Sequence, residues 1–429
     1  MGIEMAKDRY GNEIDPVHGF AWGKLISGPE SLNLRFRWAQ ELMKRRYKRY
    51  GQEAIYNLTG LYTHFPSTTE DLGPPSDDLV GPAIWMDRLK RIGIEHLGGD
   101  IERHHVAFCN RLSSGQVATI LSIVKPGEIL VCYSAPPKGF THSSILLGAK
   151  LVGAECLEAN TAEEFNDIVE KYGDRVSLVV ITGTSTALKS PPIEELKKVI
   201  EISREHKIFT YLDDASGARL RPVLLMQPKS LELGVDIAGT SGEKLLPGPR
   251  SGWIAGDRDL VERIETLLIT MGADLRPALS VALLRGLENY DPELLRKMKA
   301  MGEKIYRLAK GLYGDRVKEI PFGIHILHDD GLDIVIEKAD ARQIELVPVE
   351  ASIGTGVSLL EDYGVITVAG AWSAGSTPSI RIKPVPEEGM RFGGPEKIIE
   401  VLDKSFERVA VTSRDMDGMR KLLFGDLMM

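Results

Sequence analysis

The chain has 429 residues, 43% of them hydrophobic and 27% charged, which is enough apolar material for a large core and suggests more than one domain. Its net charge of −8 at pH 7 argues against a surface built as a whole for nucleic acid. Cys109, Cys132 and Cys156 have neither disulfide-framework nor metal spacing, which points to reduced thiols in a cytoplasmic protein without a bound metal.

Residues 1–54 read as an N-terminal arm, with no apolar run that would serve as a signal peptide or membrane span. A helix is expected over 31–50, ending in Lys44-Arg45-Arg46-Tyr47-Lys48-Arg49-Tyr50. That basic run fits a patch for RNA, a solvated helix face or an arm lying across a partner subunit. Segment 55–62 is a strand interrupted by Asn57 and Thr59, and 72–82 is a loop rich in Pro and Gly. Apolar Ile84, Met86, Leu89, Ile92, Ile94 and Leu97 predict a helix over 83–97, ended by Gly98 and Gly99.

From residue 105 short apolar runs alternate with helical stretches. Strands are expected at 106–109, 128–133, 151–157, 178–181 and 208–212, and helices at 117–124, 142–149, 162–172 and 193–206. Such alternation indicates an α/β fold with a mostly parallel sheet covered by helices on both faces. Strands at 236–239 and 251–256 follow, then helices at 260–270 and 277–289. A long amphipathic helix over 291–312 reads as a hinge. It leads to a smaller α+β domain with strands near 323–327, 332–336, 344–349, 365–369 and 379–383 and a last long helix over 395–411. The expected domains are 1–54, 55–290 and 291–429.

Lys244 lies in a turn of small residues between the strands at 236–239 and 251–256. An ammonium held between apolar strands is poorly solvated, and the neutral amine that desolvation favours forms Schiff bases with carbonyls. Alone, Lys244 resembles loop lysines such as Lys189 and Lys383; what distinguishes it is the order of its neighbours. We read it as the lysine that carries pyridoxal phosphate (PLP). That cofactor also needs donors for its phosphate, an anion for its pyridine nitrogen and a partner for its ring face.

The turn holding Ser114, Gly115 and Gln116 offers amides to a phosphate, although in isolation a helix cap by Ser113 or Ser114 is the favoured reading. Ser241, three residues before Lys244, reaches the same phosphate. Asp213, at the C-terminal end of the strand over 208–212, is the expected pyridine partner; Asp214 is the alternative, and Ser216 follows in the same turn. His142, just before a helix, suits a ring stacked on the cofactor or a solvent-facing helix start. Thr182, Thr184 and Ser185 follow a strand end, and we assign Thr184 to the cofactor. Arg381, alternating with apolar residues on a strand, suits a substrate carboxylate or an edge salt bridge.

Ser241-Gly242-Glu243-Lys244-Leu245-Leu246-Pro247-Gly248-Pro249-Arg250-Ser251-Gly252 resembles the lysine motif of bacterial selenocysteine synthase, a fold-type-I PLP enzyme. Asn57-Leu58-Thr59-Gly60 and Leu212-Asp213-Asp214-Ala215-Ser216-Gly217 are similar to that family's first catalytic strand and acidic strand end, and His142-Ser143-Ser144-Ile145 resembles the stacking-histidine segment of the α-oxoamine synthases. The likeness spans about 55–385 and is nearest to the archaeal selenocysteine-synthase-like PLP proteins. It implies a seven-stranded fold-type-I sheet, a homodimer or larger ring, a small amino acid or derivative as substrate, and β-elimination or β-replacement, with transamination as the rival. Of that family's arginine pair only Arg276 is present, expected at a substrate anion; Ala273 replaces the first and Leu279 a following lysine. Selenium transfer to tRNA, or RNA binding on the same fold, is therefore the weaker implication.

Overall fold

The structure is a computed structural model that describes residues 6–15, 18–62, 66–134, 141–185, 188–371 and 378–428. The chain divides into two compact units, one formed by Tyr62–Leu295 and the other by Met1–Leu61 with Arg296–Met429.

The unit Tyr62–Leu295 is built on a seven-stranded sheet. Its strands run in the order His104–Cys109, Gly252–Asp257, Ile237–Ser241, Phe209–Asp213, Val176–Thr182, Ile129–Tyr133, Glu155–Ala159. All are parallel except Gly252–Asp257, which runs against both of its neighbours. Parallel strands must return through crossovers, and the crossover helices cover both faces. Alternate strand residues therefore feed two cores. Val131, Val179 and Leu212 pack on one face, and Leu130, Cys132, Val180 and Tyr211 on the other. The helix Ile193–Glu205 buries Leu196, Val199, Ile200 and Ser203, the three-and-four spacing of one helical stripe.

Two boundaries differ from expectation. The helix after the first parallel strand begins at Leu112 rather than 117, because Arg111 caps it and the small residues Ser113 to Gly115 are helical. The helix Ser143–Val152 runs through residues expected in a strand; Gly153, at φ 74°, ends it, and the strand is Glu155–Ala159.

The second unit carries an antiparallel sheet in the order Ile380–Ile382, Gly323–Ile326, Val317–Ile320. The strand expected at 332–336 lies inside the helix His328–Lys338, and 344–349 leads into the helix Pro348–Tyr363. Short apolar runs do not distinguish strand from buried helix; Asp329 and Asp330 in the first turn and Lys338 in the last favour the helix. Of 365–369 only Val365–Ile366 is strand, paired in parallel with Tyr56–Asn57. The helix Pro29–Tyr50 belongs to this unit's core through Leu32, Trp38, Ala39 and Leu42, with Trp38 Nε1 donating to the Leu422 carbonyl at 3.0 Å. No described helix is long and apolar enough to cross a membrane.

Candidate active site

Six strands of the larger sheet end on one edge: His104–Cys109, Ile129–Tyr133, Glu155–Ala159, Val176–Thr182, Phe209–Asp213 and Ile237–Ser241. In parallel sheets this C-terminal edge is where ligands bind. Asp213 closes the central strand there, and Asp214 follows it.

The two acids have different surroundings. Asp214 is fully buried, forms an ion pair with Arg221 and accepts from Ser230 Oγ at 2.7 Å. It ties the helix Gly217–Leu224 to the sheet. Asp213 accepts from Gln116 Nε2 at 2.8 Å through Oδ2, while its buried Oδ1 has no hydrogen-bond partner among the described residues. Burial pushes the Asp213 carboxyl up to about 6, against the pull of the Lys244 charge and the Gln116 amide. A buried acceptor left open in this way calls for a donor or a cation. The protonated nitrogen of a pyridine ring is both, so this carboxylate fits PLP.

Gln116 continues the connection. Its Oε1 accepts from Ser144 Oγ, and Ser144 Oγ lies 2.6 Å from His142 Nδ1. A hydrogen-bonded chain thus runs from His142, the N-cap of the helix Ser143–Val152, to Asp213. His142 is exposed as a residue, yet burial of its ring and then the charges of Lys244 and Arg111 push its pKa down to about 4. The ring is therefore neutral at pH 7, which suits stacking on a cationic heterocycle. The Pro/Gly loop expected just before it lies at 135–140, outside the described residues.

Lys244 stands in the turn between Ile237–Ser241 and Gly252–Asp257. Buried Leu245 and Leu246 pin the turn, and Leu245 holds a left-handed φ of 58°, an uncommon conformation for a branched residue. The Lys244 carbonyl accepts from Arg219 Nη1 at 2.8 Å, and buried Arg219 lies over the Trp253 ring at 5.3 Å. Lys244 itself is only partly buried, so the dryness expected from its flanking strands is incomplete. Its charge acts on both Asp213 and His142, so the three lie within electrostatic reach of one another.

The phosphate end differs in detail from expectation. The Ser114 and Gly115 amides donate to the Arg111 carbonyl at 3.0 and 3.4 Å, and Ser114 Oγ donates to it at 2.7 Å. The helix-start amides with no carbonyl behind them are those of Leu112 and Ser113. Gln116, whose backbone amide was expected at the phosphate, turns its side chain to Asp213. Ser241 and Ser216 are buried on the same edge, joined through the Ser241 amide and the Ala215 carbonyl at 3.2 Å. Thr184 Oγ1 lies 3.2 Å from Ser190 Oγ.

The two expected substrate residues, Arg276 and Arg381, have the following surroundings. Arg276 forms a surface ion pair with Asp78, both more than half exposed. Arg381 is buried on the small sheet of the other unit, opposite His325. Sequence reasoning missed Ser144 and Arg219. Arg219 carried no signal, because its role depends on a turn distant in sequence.

A family model described as Cys/Met metabolism PLP-dependent enzyme matches residues 94–320. The chain is a member of this family of PLP-dependent enzymes. It is 31% identical over 379 residues to a UPF0425 pyridoxal phosphate-dependent protein of Methanosphaera stadtmanae, covering 88% of this chain and 94% of that protein. L-threonine transaldolase from Pseudomonas fluorescens shares the fold, with a TM-score of 0.56 at 14% identity over 91% of each chain. The likeness to the L-seryl-tRNA(Sec) selenium transferase of Aquifex aeolicus is local, 32% over 82 residues and 17% of this chain. It supports the PLP fold and stops short of selenium transfer. As a fold-type-I member of the PLP-dependent family, the protein is an enzyme whose cofactor is pyridoxal 5′-phosphate.

Proposed function

We propose that this enzyme acts on a small amino acid or amino-acid derivative and catalyses β-elimination or β-replacement, with Lys244 as the residue that binds the cofactor aldehyde. The observation that carries the reading is the open, buried Oδ1 of Asp213 within electrostatic reach of the Lys244 charge. When bound, PLP supplies an electron sink for the bonds around the substrate α-carbon.

In this reading Asp213 holds the pyridine N–H, and Gln116 fixes the carboxylate that does so. Ser144 orients His142, whose neutral ring covers one face of the heterocycle. The helix start at Leu112 and the serines Ser216 and Ser241 hold the phosphate, and Thr184 contributes a hydroxyl. The Lys244 amine takes the α-proton and can return it, held in place through its own carbonyl by Arg219. The Cys/Met metabolism description of the matching family favours β-chemistry over transamination. A homo-oligomer belongs to the same reading.

The test is an absorbance scan of the protein reconstituted with PLP, repeated on Lys244→Ala and with candidate amino acids. A visible band in the wild type that is absent from the variant is expected, and β-chemistry predicts release of a keto acid and ammonia, or of an exchanged product. A band that persists in Lys244→Ala refutes the assignment. Stoichiometric conversion to the amine form of the cofactor establishes transamination instead.

A further inference from the structure

The sulfurs of Cys132 and Cys156 lie 3.2 Å apart on neighbouring parallel strands, Ile129–Tyr133 and Glu155–Ala159. Neither takes part in the site described above. Cys132 is 1% exposed, Cys156 is partly exposed, and both are free thiols. Glu155–Ala159 is the last strand of the sheet, with no strand neighbour on its outer side among the described residues.

We propose that Cys156 and Cys132 are an oxidant-sensitive pair that closes a disulfide between these strands, with Cys156 as the attacking sulfur, Cys132 as the resolving one and hydrogen peroxide as the oxidant. The sulfurs already touch; a disulfide brings them to about 2.0 Å. The register sets what must move. Cys156 stands opposite Leu130, so Cys132 lies two residues further along its strand. Closing the bond draws Glu155–Ala159 along its neighbour. A central strand, hydrogen-bonded on both sides, resists such a slide, whereas this edge strand breaks a ladder on one side only.

The two sulfurs differ as the roles require. Contact with Cys132 lowers the pKa of Cys156, while the same contact and burial raise that of Cys132, so thiolate character falls on the reachable sulfur. Cys156 thiolate attacks the peroxide: an S–O bond forms, the O–O bond breaks, and hydroxide leaves with a proton as water. Cys132 sulfur then attacks Cys156 sulfur. The S–S bond forms, the S–O bond breaks, and hydroxide leaves with the Cys132 thiol proton as a second water. Each sulfur gives up one electron and each peroxide oxygen gains one.

The experiment is stepwise treatment of the PLP-loaded protein with hydrogen peroxide, then alkylation and peptide mapping without reduction. The expected product is one peptide pair joined through Cys132 and Cys156, two hydrogens lighter than the separate thiols and released by dithiothreitol. Cys109 is fully buried, with its pKa pushed up to about 12, and stays a thiol as the internal reference. In Cys132→Ser the oxidation stops at a Cys156 sulfenic acid that dimedone traps; in Cys156→Ser, Cys132 stays reduced. The wild-type map stands even if a variant fails to fold. Recovery of both thiols as alkylated cysteine, or of Cys156 as sulfinic acid beside an unmodified Cys132, overturns the proposal. The map reads sulfur alone, so its result is independent of the cofactor assignment.

Discussion

At the scale of single residues, the site is held in a state that costs stability until the cofactor arrives. The Asp213 carboxyl has a pKa of about 6 in the fold against an ordinary 3.8, with its Oδ1 unpartnered. The folded state therefore binds this proton more tightly than the unfolded chain. Ionised Asp213 is unfavourable, fully so above pH 6, less so as pH falls, and not at all below about pH 4. At about 1.4 kcal/mol per unit the cost near pH 8 is about 3 kcal/mol. Asp213→Asn in the cofactor-free protein should then be more stable than wild type at pH 8, by about that amount, with the gain gone at pH 4. Denaturant midpoints at the two pH values check this, and a gain equal at both would refute the electrostatic account. The same variant should bind PLP more weakly, because its amide cannot accept from and neutralise a pyridinium together. Gln116→Leu tests the neighbouring link. It leaves Asp213 Oδ2 and Ser144 Oγ without their shared partner, at about 1–3 kcal/mol. A rise in the cofactor dissociation constant of about tenfold or more is expected by equilibrium titration; unchanged affinity would remove Gln116 from the site.

Elements matter through how closely they approach one another. Gly252 opens the strand after the Lys244 turn, and a Cβ built there would stand 2.6 Å from the backbone nitrogen and Cα of Leu112. The start of the helix Leu112–Ile123 thus rests directly on the sheet, which fixes its amides relative to Ser241 and Lys244. Neither element can yield by a rotamer change, so Gly252→Ala should cost about 1–3 kcal/mol or more and lower PLP affinity as well. Thermal unfolding with and without the cofactor separates the two effects. This contact also marks the limit of what the sequence discloses. The order of Asp213 and Lys244, and the alternation of apolar runs with helices, were legible because each follows from residue type and local period. The role of Gln116 was not, because its partners at 144 and 213 are set by tertiary packing. The helix at 328–338 was misread for a similar reason: Leu332, Ile334 and Val335 suit either a strand or a helix buried on one side.

For the molecule as a whole, the N-terminal segment decides between an appendage and a structural part. Read from sequence, 1–54 was an arm whose basic run suited RNA, solvent or a neighbouring subunit. In the structure the helix Pro29–Tyr50 completes the core of the unit formed with Arg296–Met429. Leu32, Trp38 and Leu42 are each at most 7% exposed, and burying such side chains is worth about 1.5–3 kcal/mol apiece. Removing 1–54 would strip about 5–9 kcal/mol of burial from these three alone, comparable with the whole stability of a domain. The truncated chain should therefore aggregate or melt far below the full-length protein. Much of the basic run is also engaged. Lys44 and Arg45 pair with Glu41, Arg45 with Asp426, and Arg46 donates to the carbonyls of Ala54 and Glu361. With part of that charge paired and a net charge of −8 overall, filter binding to tRNA should be weak and fall steeply with salt. Nanomolar binding that survives physiological salt, together with a soluble, cooperatively melting protein lacking 1–54, would restore the arm as a separate RNA-binding element. Either result alone divides the question, since the helix can be essential to the fold and still present Lys48 and Arg49 to a polyanion.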